Sequence, residues 1–417
     1  MPESRTTPVK PVGEREPAGD EPSQASPTWW VWLAAWPVTA VFILSNAATP
    51  LYVLWQREIG FSKGTLTVIF AFYIVGLLGS LLVSGVVSDR LGRKAVLLPA
   101  LGLALTACVV FATASSVAAL IVARLFTGIA VGSVVSAGMA AVTDVAGRHR
   151  KQLAALLASC AMVLGAGLGP LVAGVLSETA PAPTVTVFVV EMALLATAVL
   201  AVLRMPVRRP LAGAAGAWIR VPGVPHGSGL HLTLGIAVFA PGITATSFVL
   251  SLGPSLLSGL LGTTSRIAAG AMAFAMFLTA TGVQFAVQKL PRRTILTAGA
   301  VGTTLSMIAL ATAVHTSSVP VLLASALLAG AGQGMGQLGG LSLLNHSVPA
   351  QRLAEANAAL NLGGYVPAGL LPVSAGYLSD AIGLTDGATV FAVVLMSLAV
   401  IGGLVVMASR RRVAEPA

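Results

Sequence analysis

The stretch GVVSDRLGRK, Gly85 to Lys94, sets one acid and three bases within six residues. Long apolar runs lie on both sides of it. The chain has 417 residues, of which 9% are charged and 56% hydrophobic, and its mean hydropathy is +0.90. A soluble chain carries about 25% charged residues. Lipid is therefore the solvent for most of this sequence, and a dense charge cluster inside it marks a turn at the membrane surface.

Reading outward from that turn, apolar runs of about 20 residues, each enough for one membrane helix, recur along the chain. Twelve are found, the first at 31–54 and the last at 388–408. They are too long, and too uniform, for strands alternating with period two. Residues 1–29 are rich in Pro, Glu, Ser and Thr and cannot bury enough surface to fold. The first apolar run starts too late and is too long for a signal peptide.

The bases set the orientation. With the N-terminus in the cytoplasm, the inner loops carry Arg90, Arg93 and Lys94; Arg148, Arg150 and Lys151; Arg204, Arg208, Arg209 and Arg220; Lys289, Arg292 and Arg293; Arg352; and Arg410 to Arg412. The outer loops hold only Arg57, Lys63 and Arg266. Both termini are expected in the cytoplasm. The basic balance, a net charge of +10, is a topology signal and does not predict nucleic-acid binding. Cys108 and Cys160 fall inside apolar runs and read as small core residues.

The sequence repeats itself. SSVAALIVARLFTGIAVG from Ser115 meets SSVPVLLASALLAGAGQG from Ser317 at an offset of 202. At the same offset LGPLVAGVLSE (168–178) meets LLPVSAGYLSD (370–380), with six identities in eleven and Pro170 and Gly174 matched by Pro372 and Gly376. LGRKAVLL (91–98) has a weaker echo in LPRRTILT (290–297), which keeps the bases and loses the acid. The expected organisation is a cytoplasmic tail at 1–29, a six-helix bundle at 30–204, a cytoplasmic linker at 205–230 rich in Pro, Gly and Arg, a second six-helix bundle at 231–409 and a short tail at 410–417. Two repeated halves imply a transporter with its site between them.

Three motifs resemble the major facilitator superfamily, and the likeness covers almost all of the chain after residue 30. GVVSDRLGRK fits the family's loop signature between spans 2 and 3. RLFTGIAVG (124–132) resembles the span 4 motif, an Arg followed by glycines. GAGLGPLVAG (165–174) resembles the span 5 motif of proton-driven exporters, with Ala173-Gly174 where that motif ends in two glycines. The resemblance implies an all-α membrane protein with twelve helices in two pseudo-symmetric bundles. It implies that Asp89 latches the halves by facing the start of span 11, within a charge cluster of Asp89, Arg93 and Asp144. It also implies a part in proton coupling for Arg124.

The residues carry their own reading beside that likeness. Gly85 permits close helix approach and Gly92 a tight turn, while Arg90, Arg93 and Lys94 fix topology. The latch reading stands against a solvated loop whose charges only orient the chain. Gly165, Gly169, Pro170 and Gly174 make a narrow face on span 5, read as a bend and seal or as ordinary packing. Arg124 and Glu191 each lie seven residues into the membrane from the outer end of their spans. A charge at a helix centre costs about 2.5–3.5 kcal/mol. Arg124 cannot release a proton, so it tunes a carboxylate, holds a substrate anion or serves as a structural hub. Equal depth raises an Arg124–Glu191 pair; the alternative is that Glu191 snorkels to the surface.

Asn46, Thr49, Thr244, Ser247, Gln333, Gln337, Asn361 and Tyr365 are the candidate cavity residues. Gln333 and Gln337 share a face, as do Asn361 and Tyr365. Pro241-Gly242 is expected to break span 7 where it lines the cavity. Such a cavity suits a medium-sized amphiphile. No HExxH, paired cysteines or phosphate loop is present, so neither an enzyme nor ATP drive is expected. The expectation is a proton-coupled exporter of amphiphilic small molecules, drugs or natural products, working by alternating access as a monomer in the plasma membrane. It needs no cofactor or metal; its partners are substrate, protons and lipid. The alternative is a proton-coupled nutrient importer of the same fold.

Overall fold

The computed structural model describes residues 27–147, 150–206, 222–225, 227–259, 262, 265–349 and 352–409. Of the expected tail at 1–29, residues 1–26 lie outside the described residues, while Thr28 and Trp29 already belong to the first helix; the tail at 410–417 and most of the connecting segment, 207–221, also lie outside. So do Arg148, Arg208, Arg209, Arg220 and Arg410 to Arg412.

Lipid offers the backbone no hydrogen bonds, so each crossing must close its own as a helix. The described residues form twelve such crossings. The first half comprises α1 (Thr28–Ile59), α2 (Lys63–Leu91), α3 (Arg93–Ala112), α4 (Val117–Ala146), α5 (Lys151–Thr179) and α6 (Pro183–Arg204). The second comprises α7 (Gly229–Gly259), α8 (Arg266–Val287), α9 (Arg292–Thr316), α10 (Val319–Ser347), α11 (Leu353–Ile382) and α12 (Leu384–Ala408). Eleven are long and apolar enough to cross a membrane by composition alone. The exception is α11, whose first turns carry Glu355, Asn357 and Asn361 and which depends on protein neighbours for its place.

An even number of crossings puts the start of α1 and the end of α12 on one side, here called the near face. Trp29 and Trp30 stack there with ring centroids 4.3 Å apart, and Trp32 is exposed beside them, as amphipathic rings sit at headgroup level. At this face Gly92 (φ +97°) turns α2 into α3 in a conformation that L side chains rarely adopt. At the far face serines start helices: the hydroxyls of Ser62, Ser116 and Ser265 accept from the N–H of Thr65, Ala119 and Ala268.

The repeat becomes a repeat of packing. In the first half α1 lies on α5, α2 on α4 and α3 on α6; in the second α7 lies on α11, α8 on α10 and α9 on α12. The halves meet through α2 against α11 and α5 against α8. Two local features depart from expectation. Span 7 is one continuous helix through Pro241 and Gly242. Gly242 instead lets α10 approach, since a Cβ there would stand 2.9 Å from Gln333 Cα. In α4, a wider π-type turn interrupts the helix at Val134–Gly138. Just before it, the Ser133 hydroxyl meets that of Ser84 on α2 at 2.9 Å.

Apolar surface gains nothing by leaving lipid for another helix, so close approach at small residues holds the bundle together. A Cβ on Gly128 of α4 would meet the backbone of α2 at the Tyr73 carbonyl and 2.9 Å from Leu77 N. A Cβ on Gly79 of α2 meets nothing within 4 Å. Gly128→Ala should therefore lower stability by about 1–3 kcal/mol. Gly79→Ala should leave it unchanged or raise it by up to about 1 kcal/mol. Thermal unfolding of the two detergent-solubilised variants checks the contrast.

Candidate functional site

Between the halves, near the middle of the helices, lies a cavity of about 150 Å³. Helices α1, α2 and α5 line it from one half and α7, α8, α10 and α11 from the other. The wall is mainly aromatic and aliphatic, with Phe42, Phe70, Tyr73, Met162, Phe277 and Tyr365, and three carboxamides from the second half, Gln284, Gln333 and Gln337. No acid or base among the described residues lines it. Of the candidates, Asn46, Ser247, Gln333, Gln337 and Tyr365 line the cavity.

Thr49, Thr244 and Asn361 do not. Thr49 is buried in the tight turn Thr49–Leu51, its hydroxyl without a partner. The Thr244 hydroxyl donates to Ala240 O of its own helix at 2.7 Å. Asn361 lies one turn from Tyr365 toward the near face and is half-buried. The sequence reading did not single out Gln284, a lone carboxamide in an apolar span, or the aromatic wall.

Arg124 stands behind this wall. It is fully buried. Its Nε donates to the Tyr52 hydroxyl and its Nη1 to the Ser45 carbonyl at 2.7 Å, while Nη2 has no partner. The rings of Tyr52, Phe70, Tyr73 and Phe111 surround the guanidinium at 5.1–5.9 Å from their centroids. Each ring face offsets about 0.5–2 kcal/mol of the burial cost.

Glu191 is also buried, with Oε2 lacking a partner. Of the two readings for Glu191, neither an ion pair with Arg124 nor an exposed, snorkelling carboxylate is found: no salt bridge joins the two residues, and Glu191 is 3% exposed. Phe111 touches Arg124 and stacks on Phe188 at 4.8 Å, with Trp55 stacked on both. Glu191 follows one turn after Phe188 on α6.

The opening stretch folds into a charge cluster. Arg93 donates from Nε to Asp144 at 2.9 Å and from Nη1 to Asp89 at 2.6 Å and to Ser88 Oγ at 2.9 Å. Lys94 donates to the Leu203 carbonyl at the end of α6, at 2.8 Å. Gly85 lies within the last two turns of α2, and Arg90 at its end.

On α5, Gly165 and Gly169 receive α1: a Cβ on Gly165 would lie 2.6 Å from Phe42 Cβ, and one on Gly169 3.2 Å from Ile43 Cα. Gly174 receives α8, where a Cβ would lie 2.5 Å from the Arg266 carbonyl, and Pro170 packs on Gly270 of the same helix. Its repeat partner Gly376 receives α2, with a Cβ 2.9 Å from the Lys63 carbonyl.

The same two seats carry a feature that the sequence reading overlooked. At the far end of α5, Glu178 accepts from the backbone N–H of Arg266 and, at 3.0 Å, of Ile267, the first residues of α8. At the far end of α11, Asp380 accepts from the N–H of Lys63 at 3.0 Å and of Gly64 at 2.8 Å, the first residues of α2. Each half caps a helix of the other. Glu178 and Asp380 end the two aligned stretches of the repeat, which was the available signal.

A helical bundle in two repeated halves, closed across one face and holding a cavity between them, defines a secondary transporter of the multi-pass membrane class. Residues 31–290 match the Major Facilitator Superfamily, and the chain belongs to it. It is a transporter and not an enzyme. No curated protein sequence matches the chain. The fold is similar to that of a bacterial homologue of the human lysosomal transporter Spinster in an inward-facing, unoccupied conformation. That match has a TM-score of 0.72 and 13% identity, and covers 93% of this chain and 98% of that one. A POT family transporter in complex with a thioalcohol-conjugated peptide gives 0.73 and 13%, covering 93% and 96%. A D-xylose–proton symporter gives 0.66 and 17%, covering 90% and 97%.

A carboxylate at a helix N-terminus stabilises by about 0.3–1 kcal/mol, up to about 2 when partly buried. Glu178→Gln and Asp380→Asn should each open the far face about two- to fivefold more often, and together roughly multiplicatively. The reporter is a cysteine at Thr67, buried against Gly376, with Cys108 and Cys160 changed to Ser. Its alkylation rate from the far side should rise in that order.

Proposed function

We propose that the protein is a proton-coupled exporter of amphiphilic small organic molecules, seated in the plasma membrane with both termini in the cytoplasm. The observation that carries this reading is the cavity: aromatic, furnished with carboxamides, bare of lining charge and placed between the two halves. An apolar wall with a few hydrogen-bonding groups receives an amphiphile, whereas a sugar asks for many more polar partners.

In this reading the near face is cytoplasmic and the conformation described is closed to the outside. The far-face caps of Glu178 and Asp380 break on outward opening. The Asp89–Arg93–Asp144 cluster, with Gly85, Arg90, Gly92 and Lys94, then latches the cytoplasmic side, Asp89 turning to the start of α11. The span 5 face of Gly165, Gly169, Pro170 and Gly174 serves as the outer seal. Glu191 carries the proton, and Arg124 supplies a fixed positive charge in the same half.

Everted vesicles with an acid interior and a pH-sensitive dye test this. Amphiphilic compounds should trigger proton release in wild type and none in Glu191→Gln. Release that is unchanged in Glu191→Gln removes Glu191 as the carrier. No release with any compound, together with proton-driven sugar or amino-acid uptake by whole cells, replaces export with import.

A further inference from the structure

The cavity reading leaves one charge without a partner. Among the described residues Arg124 is a fully buried cation with no ion-pair partner, and no carboxylate lines the cavity beside it. Asp89 and Asp144 are engaged by Arg93 at the near face, Glu178 and Asp380 by helix starts at the far face. Glu191 is buried on α6 and forms no ion pair with Arg124. The fork of Arg124 is half used: Nε and Nη1 have partners, and Nη2 has none.

The residues that hold this guanidinium are also the cavity wall. Ser45, whose carbonyl accepts from Nη1, lines the cavity, and so do Phe70 and Tyr73, whose rings lie 5.5 and 5.9 Å from Cζ. Arg124 is thus one side chain from the space. From the opposite half, Gln333 lines the same space, with its buried Oε1 lacking a partner. A donor cation and a neutral acceptor wait on opposite walls of one apolar chamber. The second half has no counterpart of the cation, since Ala326 stands at the repeat position of Arg124.

We propose that the ligand of this cavity is an amphiphilic organic monoanion, a carboxylate or a group of like geometry, whose charge pairs with Arg124 past the Phe70 and Tyr73 rings. A planar guanidinium edge takes a carboxylate by two parallel N–H···O bonds. The body of the ligand fills the aromatic wall, and a hydrogen-bond donor at its other end meets Gln333. The proposal deepens the exporter reading and rests on the same cavity. It sets a substrate class within it: weak organic acids are preferred over their neutral or cationic analogues.

The test uses purified full-length protein and a set of aryl- and alkyl-acetic, -butyric and -octanoic acids, each compared with its own carboxamide and its own amine, read by ligand-induced thermal stabilisation. Several acids should bind at least tenfold more tightly than their amides, and the amines weakest. Arg124→Lys should keep part of that preference and Arg124→Gln lose it. If Arg124→Gln does not fold, the wild-type comparison decides alone. If no acid outbinds its amide, including the case in which nothing binds, or if the amines bind best, the proposal is overturned. Amides that bind and release protons from vesicles, with acids that do neither, overturn the proposal and leave the exporter standing. Acids that bind but release no protons uphold the proposal and remove proton-coupled export.

Discussion

Four backbone N–H groups, those of Lys63, Gly64, Arg266 and Ile267, find no acceptor within their own helices, because the first turn of any helix has none. Their acceptors come from the other half of the molecule, as the carboxylates of Asp380 and Glu178. The closed far face depends on this exchange. Such bonds are directional and stop at one turn, so they fix where the ends of α2 and α11, and of α5 and α8, must meet. They also break cleanly, because in the open state water can replace the carboxylates at a surface position.

A cap can form only if the helices come close enough beneath it. Gly174 and Gly376, each one turn before its acid, place the backbone of one helix directly against the carbonyls of the other. The order along α5 and α11 is thus the same: proline, glycine, acid, at equal spacings in both copies. Proline removes a backbone donor in lipid, and glycine lets a neighbour approach where the helix has been weakened. Sealing and capping are one structural unit, used twice about the pseudo-two-fold relation of the halves. Away from this seam the copies have diverged. The first half buries Arg124 of α4 against α1, α2 and α3. In the second half Gly336 draws α10 onto Phe239 of α7, and three carboxamides face the cavity among apolar and hydroxyl side chains.

The fold was legible because lipid imposes one simple rule on every crossing. About 20 apolar residues are needed whatever the neighbours, and bases collect on one side. The repeat offset of 202 then paired the helices correctly. The site was less legible, for a reason tied to the same rule. A helix apolar all round gives no amphipathic face from which to read its rotation. Gln333 and Gln337 could be placed together by spacing, but nothing in the sequence said that Thr244 would turn its hydroxyl to Ala240 or that Asn361 would miss the wall. The candidates lay on spans 1, 7, 10 and 11. The cavity instead draws its wall from α1, α2, α5, α7, α8, α10 and α11, with α4 contributing its arginine from behind. Pro241-Gly242 was misread because proline was taken as a break, whereas α7 runs through it and Gly242 serves helix contact.

The separation of Arg124 from Glu191 is the more consequential departure. A direct pair would have closed the electrostatic account within one half and left the cavity indifferent to charge. The cation is held by the rings of Tyr52, Phe70, Tyr73 and Phe111 and by two neutral oxygens, which stabilise it without neutralising it. A buried charge that is solvated but not neutralised keeps a long reach in low dielectric. In the proposed reading it is free to pair with a negative group entering the cavity in front of it. An ion pair would commit that charge to a fixed partner; an aromatic cage leaves it available to a ligand.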